Sequence, residues 1–255
     1  MNTIEIKFET ASYIPPPFCH YYHLVIKKDS NRWLADFECT YHHREDLTDE
    51  DLALEGFTGE EDRHWKGEIT ENLVTELTRK FSQTKLIAEK EQLEDDENYL
   101  SLTFDTQTGT PKNRTDWEYF LQEIIQGIYE QAGLEKPLEI QFLKLEKNHS
   151  LQIKMQVLFA KRQANLSVEQ NHQKKTFIVE DWQTISRLIA IVFNLDFFAE
   201  EATKKTPVQA GNYLETGDGL WYELGKTARA EKAQEIVEMN KILEGFLRYI
   251  TTEAN

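Results

Sequence analysis

His20-Tyr-Tyr-His-Leu-Val-Ile-Lys-Lys28, the link Asp29-Ser-Asn-Arg32 and the return run Trp33-Leu-Ala-Asp-Phe-Glu-Cys-Thr40 decide how this chain folds. Both arms alternate apolar and polar side chains, the period of a half-buried strand. Pairing Asp29 with Arg32 around a Ser30-Asn31 turn sets Ile26 opposite Ala35, Leu24 opposite Phe37 and Tyr22 opposite Cys39, all on one face. The other face then carries Val25 opposite Asp36, His23 opposite Glu38, Tyr21 opposite Thr40 and Cys19 opposite His42. Because side-chain direction has period two, this register buries one face and leaves the other mostly polar. Ser-Asn is a weaker turn than Asn-Gly, and the arms rather than the turn carry the expectation.

The segments outside the hairpin read in the same way. Ile4-Glu-Ile-Lys-Phe8 alternates as a strand, and Pro15-Pro16-Pro17 interrupts pairing with an extended connector. A short strand is expected near His64–Glu68, and a helix opens at Thr70 with Leu73, Leu77 and Phe81 on one side. Tyr99–Asp105 alternates. Thr115-Asp-Trp-Glu118 fits a capping box for a helix that runs to Ala132 and stops at Gly133. Strands follow at Leu138–Leu145, Leu151–Phe159, Ala164–Glu169 and Lys175–Val179, then a helix from Asp181 carrying Trp182, Ile185, Ile189 and Val192. Pro207–Gly225 reads as a long loop, and Lys226 to Ile250 as the longest helix.

This order predicts an α+β protein: antiparallel sheets with helices packed on one face. It divides into an acidic half, residues 1–134, and a second half, residues 135–255, ending in the long helix; one continuous domain is the alternative. Ile4-Glu-Ile-Lys-Phe8 resembles Leu138-Glu-Ile-Gln-Phe142, which hints at a weak internal duplication of a β-β-β-α unit. Generic β-β-β-α order would produce the same hint.

Hydrophobic residues make up 40% of the 255 residues and aromatics 11%, enough for a folded core and against a disordered chain. The longest apolar run, Leu188–Phe193, is far short of a membrane helix. Met1–Phe8 lacks the basic flank and apolar stretch of a signal peptide, and two cysteines, Cys19 and Cys39, make no disulfide framework. The expectation is a cytoplasmic protein.

Charge is the most informative feature. Residues 1–128 hold 27 acids and 13 bases, whereas residues 129–255 hold 18 and 16. Glu45 to Asp62 contains nine acids and no base, and Glu89 to Glu97 contains six acids beside Lys90. Such blocks repel phosphate backbones and anionic lipid, which argues against direct nucleic-acid or membrane binding. They suit electrostatic docking of a basic protein partner, as an inhibitor, an immunity-type protein or an adaptor would use. Glu50, Asp51, Glu60, Glu61 and Asp62 are the candidate contacts; the plainer reading is a solvated loop that keeps the protein soluble. Trp221 and Tyr222, flanked by glycines in the long loop, are candidate aromatic contacts, with core packing as the alternative.

An alternative function is a metal-dependent enzyme or small-ligand-binding protein. In the hairpin register Cys19, His23, Glu38 and His42 share one face, and thiolate, imidazole and carboxylate are ligands for zinc or another divalent ion. An ordinary polar strand face explains the same four residues. Gly225-Lys226-Thr227 mimics the end of a phosphate-binding loop, but Leu220 stands where that loop needs glycine. No nucleophile motif is present, and no cofactor is called for outside the metal reading. In the last helix Ile236, Asn240, Leu243, Leu247 and Ile250 follow a seam spacing, so the chain is a monomer or a homodimer through that helix.

Overall fold

A computed structural model describes residues 3–90, 92–170 and 173–252, with side chains for all of these except Asp46 and residues 247–252. The chain divides into two compact units, Met1–Glu135 and Lys136–Asn255.

In the first unit β1 (Thr3–Glu9), β2 (His20–Asp29), β3 (Arg32–Tyr41) and β4 (Arg63–Ile69) form an antiparallel meander. The β2–β3 register is the one the alternation specifies, with Asp29 on Arg32, Leu24 on Phe37 and Tyr22 on Cys39. Two short strands, β5 (Leu86–Ile87) and β7 (Gln107–Pro111), and the longer β6 (Tyr99–Phe104) complete a seven-stranded sheet in the order β4-β3-β2-β1-β6-β7-β5. Its inner face buries Ile4, Ile6, Leu24, Ile26, Phe37, Leu100 and Leu102 against α2 (Glu71–Ser82) and α3 (Arg114–Ala132). Leu73, Val74 and Leu77 of α2 and Trp117, Leu121, Ile124 and Ile128 of α3 supply the helical side of that core. Each such side chain stabilises the fold by roughly 1.5–3 kcal/mol relative to exposure.

Thr70 caps α2, its hydroxyl accepting from the Leu73 amide. The expected capping box at Thr115 is not formed: the cap position falls two residues earlier, on Asn113, α3 starts at Arg114, and Thr115 lies inside its first turn. Gly133 ends α3 in the left-handed conformation, φ 70°. The acidic block is not merely a loop. It contains α1 (Asp49–Leu54), started by a capping box in which the Thr48 hydroxyl accepts from the Asp51 amide and Asp51 accepts from the Thr48 amide.

The second unit repeats the strand order. β8 (Leu138–Glu146), β9 (His149–Leu158), β10 (Gln163–Gln170) and β11 (Gln173–Val179) form a second antiparallel meander. After α4 (Trp182–Phe193), and β12 (Asp196–Phe197), β13 (Gly211–Glu215) joins the free side of β8, followed by β14 (Tyr222–Glu223), giving the order β11-β10-β9-β8-β13-β14. In both units a strand after the helix, β6 in the first and β13 in the second, returns beside the first strand. The correspondence is one of strand order and does not by itself make the halves copies of one another.

Three expectations for this unit are corrected. Residues 207–225 are not one loop, because β13 and β14 lie within them. The final helix does not begin at Lys226: Gly225, at φ 84°, turns the chain into β15 (Ala228–Arg229), which pairs with β12, and α5 starts at Ala233. The helix packs onto its own unit through Met239 and Phe246, with Ile236, Ile242 and Leu243 beside them. Asn240 is exposed and so is not the inner residue of a seam, while Leu247 and Ile250 lie outside the residues with described side chains.

Candidate functional site

The acidic segment between β3 and β4 is organised by a base just outside it. Arg44 lies with its guanidinium 3.8 Å from the centre of the Tyr41 ring and 4.5 Å from that of Phe57. Nε and Nη2 donate to the Pro17 carbonyl at 3.2 and 3.0 Å, and Nη1 donates to Glu61. With only 10% of its side chain exposed, Arg44 ties the proline connector, the end of β3 and the acidic segment together. A planar, always-charged fork suits this role where a lysine would not.

Glu61 is the centre of a second knot. It accepts from the Thr58 amide at 2.6 Å, the Thr58 hydroxyl at 2.8 Å and the Gly59 amide at 3.1 Å, besides Arg44. Partial burial works to raise its carboxyl, but Thr58 and Arg44 overcome this and hold it at about 2. Asp62 accepts from the Tyr41 amide at 2.8 Å. Asp51 is engaged in the α1 cap, and its hydrogen bonds from Thr48 keep its carboxyl below the ordinary value. Of the five expected acidic contacts, Glu61 is half-buried, Asp51 and Asp62 are exposed but accept hydrogen bonds from Thr48 and the Tyr41 amide, and Glu50 and Glu60 are exposed. Glu45, Asp49 and Glu55 are exposed with them. Leu54, 80% exposed at the end of α1, and Phe18, edge-on to Phe57, add apolar surface to the same unit.

Trp221 and Tyr222 are not surface contacts. They are 7% and 3% exposed. Trp221 packs with Leu143 and Tyr213, and Tyr222 meets Phe197 edge-on while its hydroxyl donates to Asp218 at 2.6 Å. Burial together with Asp218 pushes the Tyr222 phenol up to about 12. The segment is a strand edge of the second sheet, and its aromatics follow the sheet's alternation into covered positions.

The four expected metal ligands are not assembled into a site. Cys19 is buried, and its thiol donates to the His42 carbonyl at 3.0 Å. His23 turns to Glu5 on β1, Nε2 to Oε1 2.8 Å, instead of completing a set with Glu38. Glu38 stands directly between His23 and His64 in the strand register, but His64 is held by Asp36 at 2.9 Å. Lysines complete both arrangements, Lys7 at 3.1 Å from Glu5 and Lys66 at 2.7 Å from Asp36. Among the described residues no three His, Cys, Asp or Glu side chains form a group able to hold an ion. The open face of the first sheet thus carries carboxylates, Glu5 and Asp36, each engaged by a lysine and an imidazole.

The open face of the second sheet is built from amides. Gln152 donates to Gln141 at 3.3 Å, and Gln141 donates to Glu215 at 2.8 Å. Glu215 is buried, its other oxygen accepting from the Gly217 and Gly219 amides at 2.8 and 2.9 Å. A second line runs from Asn165 to Gln156 at 3.2 Å and from Gln156 to Glu139 at 3.4 Å. Sequence reasoning passed over both Arg44 and these amides. Arg44 was legible as the base that borders an acidic run, and the amides as the polar members of alternating strands.

Fold and surface together define a two-unit antiparallel α+β protein with one strongly acidic unit. No family model matches the chain, and no curated protein or solved structure matches it either. Among the described residues no helix is long and apolar enough to cross a membrane.

Proposed function

We propose that this is a non-catalytic protein that binds a basic protein partner through its first unit. The observation that carries the reading is the division of charge. Residues 1–135 hold 29 acids and 13 bases, a net of −16, and residues 136–255 hold 16 of each, a net of zero. Two units with the same strand order need no such difference for solubility or folding. A charge excess confined to one unit accelerates encounter with a basic surface and selects against acidic ones. The docking contacts are three of the exposed carboxylates on the β3–β4 segment, Glu50, Glu55 and Glu60, with Leu54 and Phe18 as apolar anchors. Glu61, Asp62 and Asp51 support the segment from within.

The test compares the wild type with a Glu50→Gln/Glu55→Gln/Glu60→Gln variant as bait for native lysate at low and high salt. A basic protein held by the wild type at low salt, released at high salt and lost by the folded variant supports the reading. A partner whose retention ignores both salt and the triple substitution overturns it.

A further inference from the structure

The second sheet's open face carries a shallow, open trough of about 530 Å³ lined by Glu139, Gln141, Lys154, Gln156, Asn165, Ser167, Thr176 and Ile178 on its outward side. That volume lies within the range of small-ligand sites. Its floor has a definite order. Gln141, Lys154, Ser167 and Thr176 face one another in register across β8, β9, β10 and β11. The next row is Glu139, Gln156, Asn165 and Ile178.

The two rows differ in what is already spent. The amides of Gln141, Gln156 and Asn165 have fixed senses, because each line ends on a carboxylate that can only accept, Glu215 in one and Glu139 in the other. Lys154, Ser167 and Thr176 make no side-chain hydrogen bond or ion pair with another described residue. An ammonium and two hydroxyls therefore lie side by side, with open donors, between amides whose direction is set in advance. Adjacent strands place them roughly 5 Å apart.

We infer that this trough binds a small hydroxyl-rich ligand with one anionic group, the chemistry shared by sugar phosphates and sugar acids. The anionic group sits on the row of Lys154, Ser167 and Thr176, where one positive charge and two hydroxyl donors converge. Hydroxyls both donate and accept, as amides do, so the remainder of the ligand matches Gln156, Asn165 and the free valences of Gln141. Ile178 is the one apolar side chain in the two outward rows, and a ligand with a second anionic group meets Glu139 in the neighbouring row. The site is independent of the acidic unit.

The experiment titrates the intact protein with glucose 6-phosphate, glucuronate, inorganic phosphate and glucose, following backbone amide resonances. Expected are saturable shifts centred on β8–β11 for glucose 6-phosphate, glucuronate or both, with affinity weakened by at least about tenfold in Lys154→Met. Lys154 points away from the core, and unchanged spectra elsewhere confirm that the variant folds. Response to only one of the two anionic sugars identifies the source of the charge. Inorganic phosphate binding as tightly as the sugars overturns the role given to the amides, and glucose binding equally well overturns the role of Lys154. Absence of saturable shifts with every probe, or shifts located elsewhere, overturns the site.

Discussion

The two units use one strand order for opposite surface chemistry. Behind both sheets lies the same kind of core, Ile, Leu and Phe from alternate strand positions meeting amphipathic helices. In front, the first sheet joins carboxylates to lysines and imidazoles, Glu5 with Lys7 and His23 and Asp36 with Lys66 and His64, whereas the second joins neutral amides in lines that end on Glu215 and Glu139. Strand alternation makes this separation possible, because inward positions fix the fold while outward ones are free to differ. The difference in net charge belongs almost entirely to the outward and loop positions.

The largest effect that separates the units comes from the third strand of each meander. Phe37 in β3 and Leu166 in β10 are both buried in the cores of their own sheets. Phe37→Ala is expected to cost about 3–5 kcal/mol and Leu166→Ala about 2–5 kcal/mol. Hydrogen exchange should quicken across β1–β4 in the first variant and across β8–β11 in the second. Equal acceleration in both sheets from either substitution would break the comparison, by making the units one cooperative body.

A smaller effect is expected at Arg44, which ties the proline connector and the end of β3 to the acidic segment. Arg44→Ala removes the donors to Pro17 and leaves Glu61 without its charge partner, at a cost of roughly 1–3 kcal/mol. Arg44→Lys should recover only part, since a lysine cannot lie flat between Tyr41 and Phe57 and donate along two directions. Faster exchange confined to residues 44–62 would sharpen the comparison; full rescue by lysine would reduce Arg44 to a point charge.

How much of this was legible depended on whether a feature is local. The β2–β3 register followed from alternation together with the short Ser30-Asn31 turn, which places Asp29 opposite Arg32 and puts Leu24 and Phe37 on one buried face. The strands β13 and β14 were hidden because Gly217, Asp218 and Gly219 sit between them, and turn residues spread over a short hairpin read as continuous loop. Burial of Trp221 could not be read for the same reason. In the acidic segment the charge itself was plain, but which carboxylates are engaged was not. That depends on where Arg44, Thr58 and the Tyr41 amide come to lie, which is a property of the folded backbone. Helix α1 lacks apolar periodicity, and only Thr48 three residues before Asp51 announced it.

The acid side of the stability profile gives a finer distinction between carboxylates that hold the fold and those that only decorate it. The Glu61 carboxyl is depressed in the folded protein to about 2, from an ordinary value near 4.5. A depressed carboxyl contributes stability above its unfolded value and loses that contribution as pH falls through the folded one. Part of the loss of stability between about pH 4.5 and pH 2 therefore belongs to Glu61, and Glu61→Gln should flatten that stretch while lowering stability at neutral pH.

The smallest change belongs to the exposed acids. Glu50→Gln/Glu55→Gln/Glu60→Gln should leave neutral-pH stability within about 0.5 kcal/mol of wild type, since none of the three makes a described ion pair. It should also leave the acid limb of the profile in place. Denaturant titrations at neutral pH and at pH 3 on the two variants separate the roles. If the triple variant flattened the acid limb as strongly as Glu61→Gln, the limb would reflect the summed repulsion of the segment rather than one organised carboxylate. The contrast between structural and displayed acids would then fail. If only Glu61→Gln does so, the acid limb belongs to Glu61, and Glu50, Glu55 and Glu60 are displayed without holding the fold.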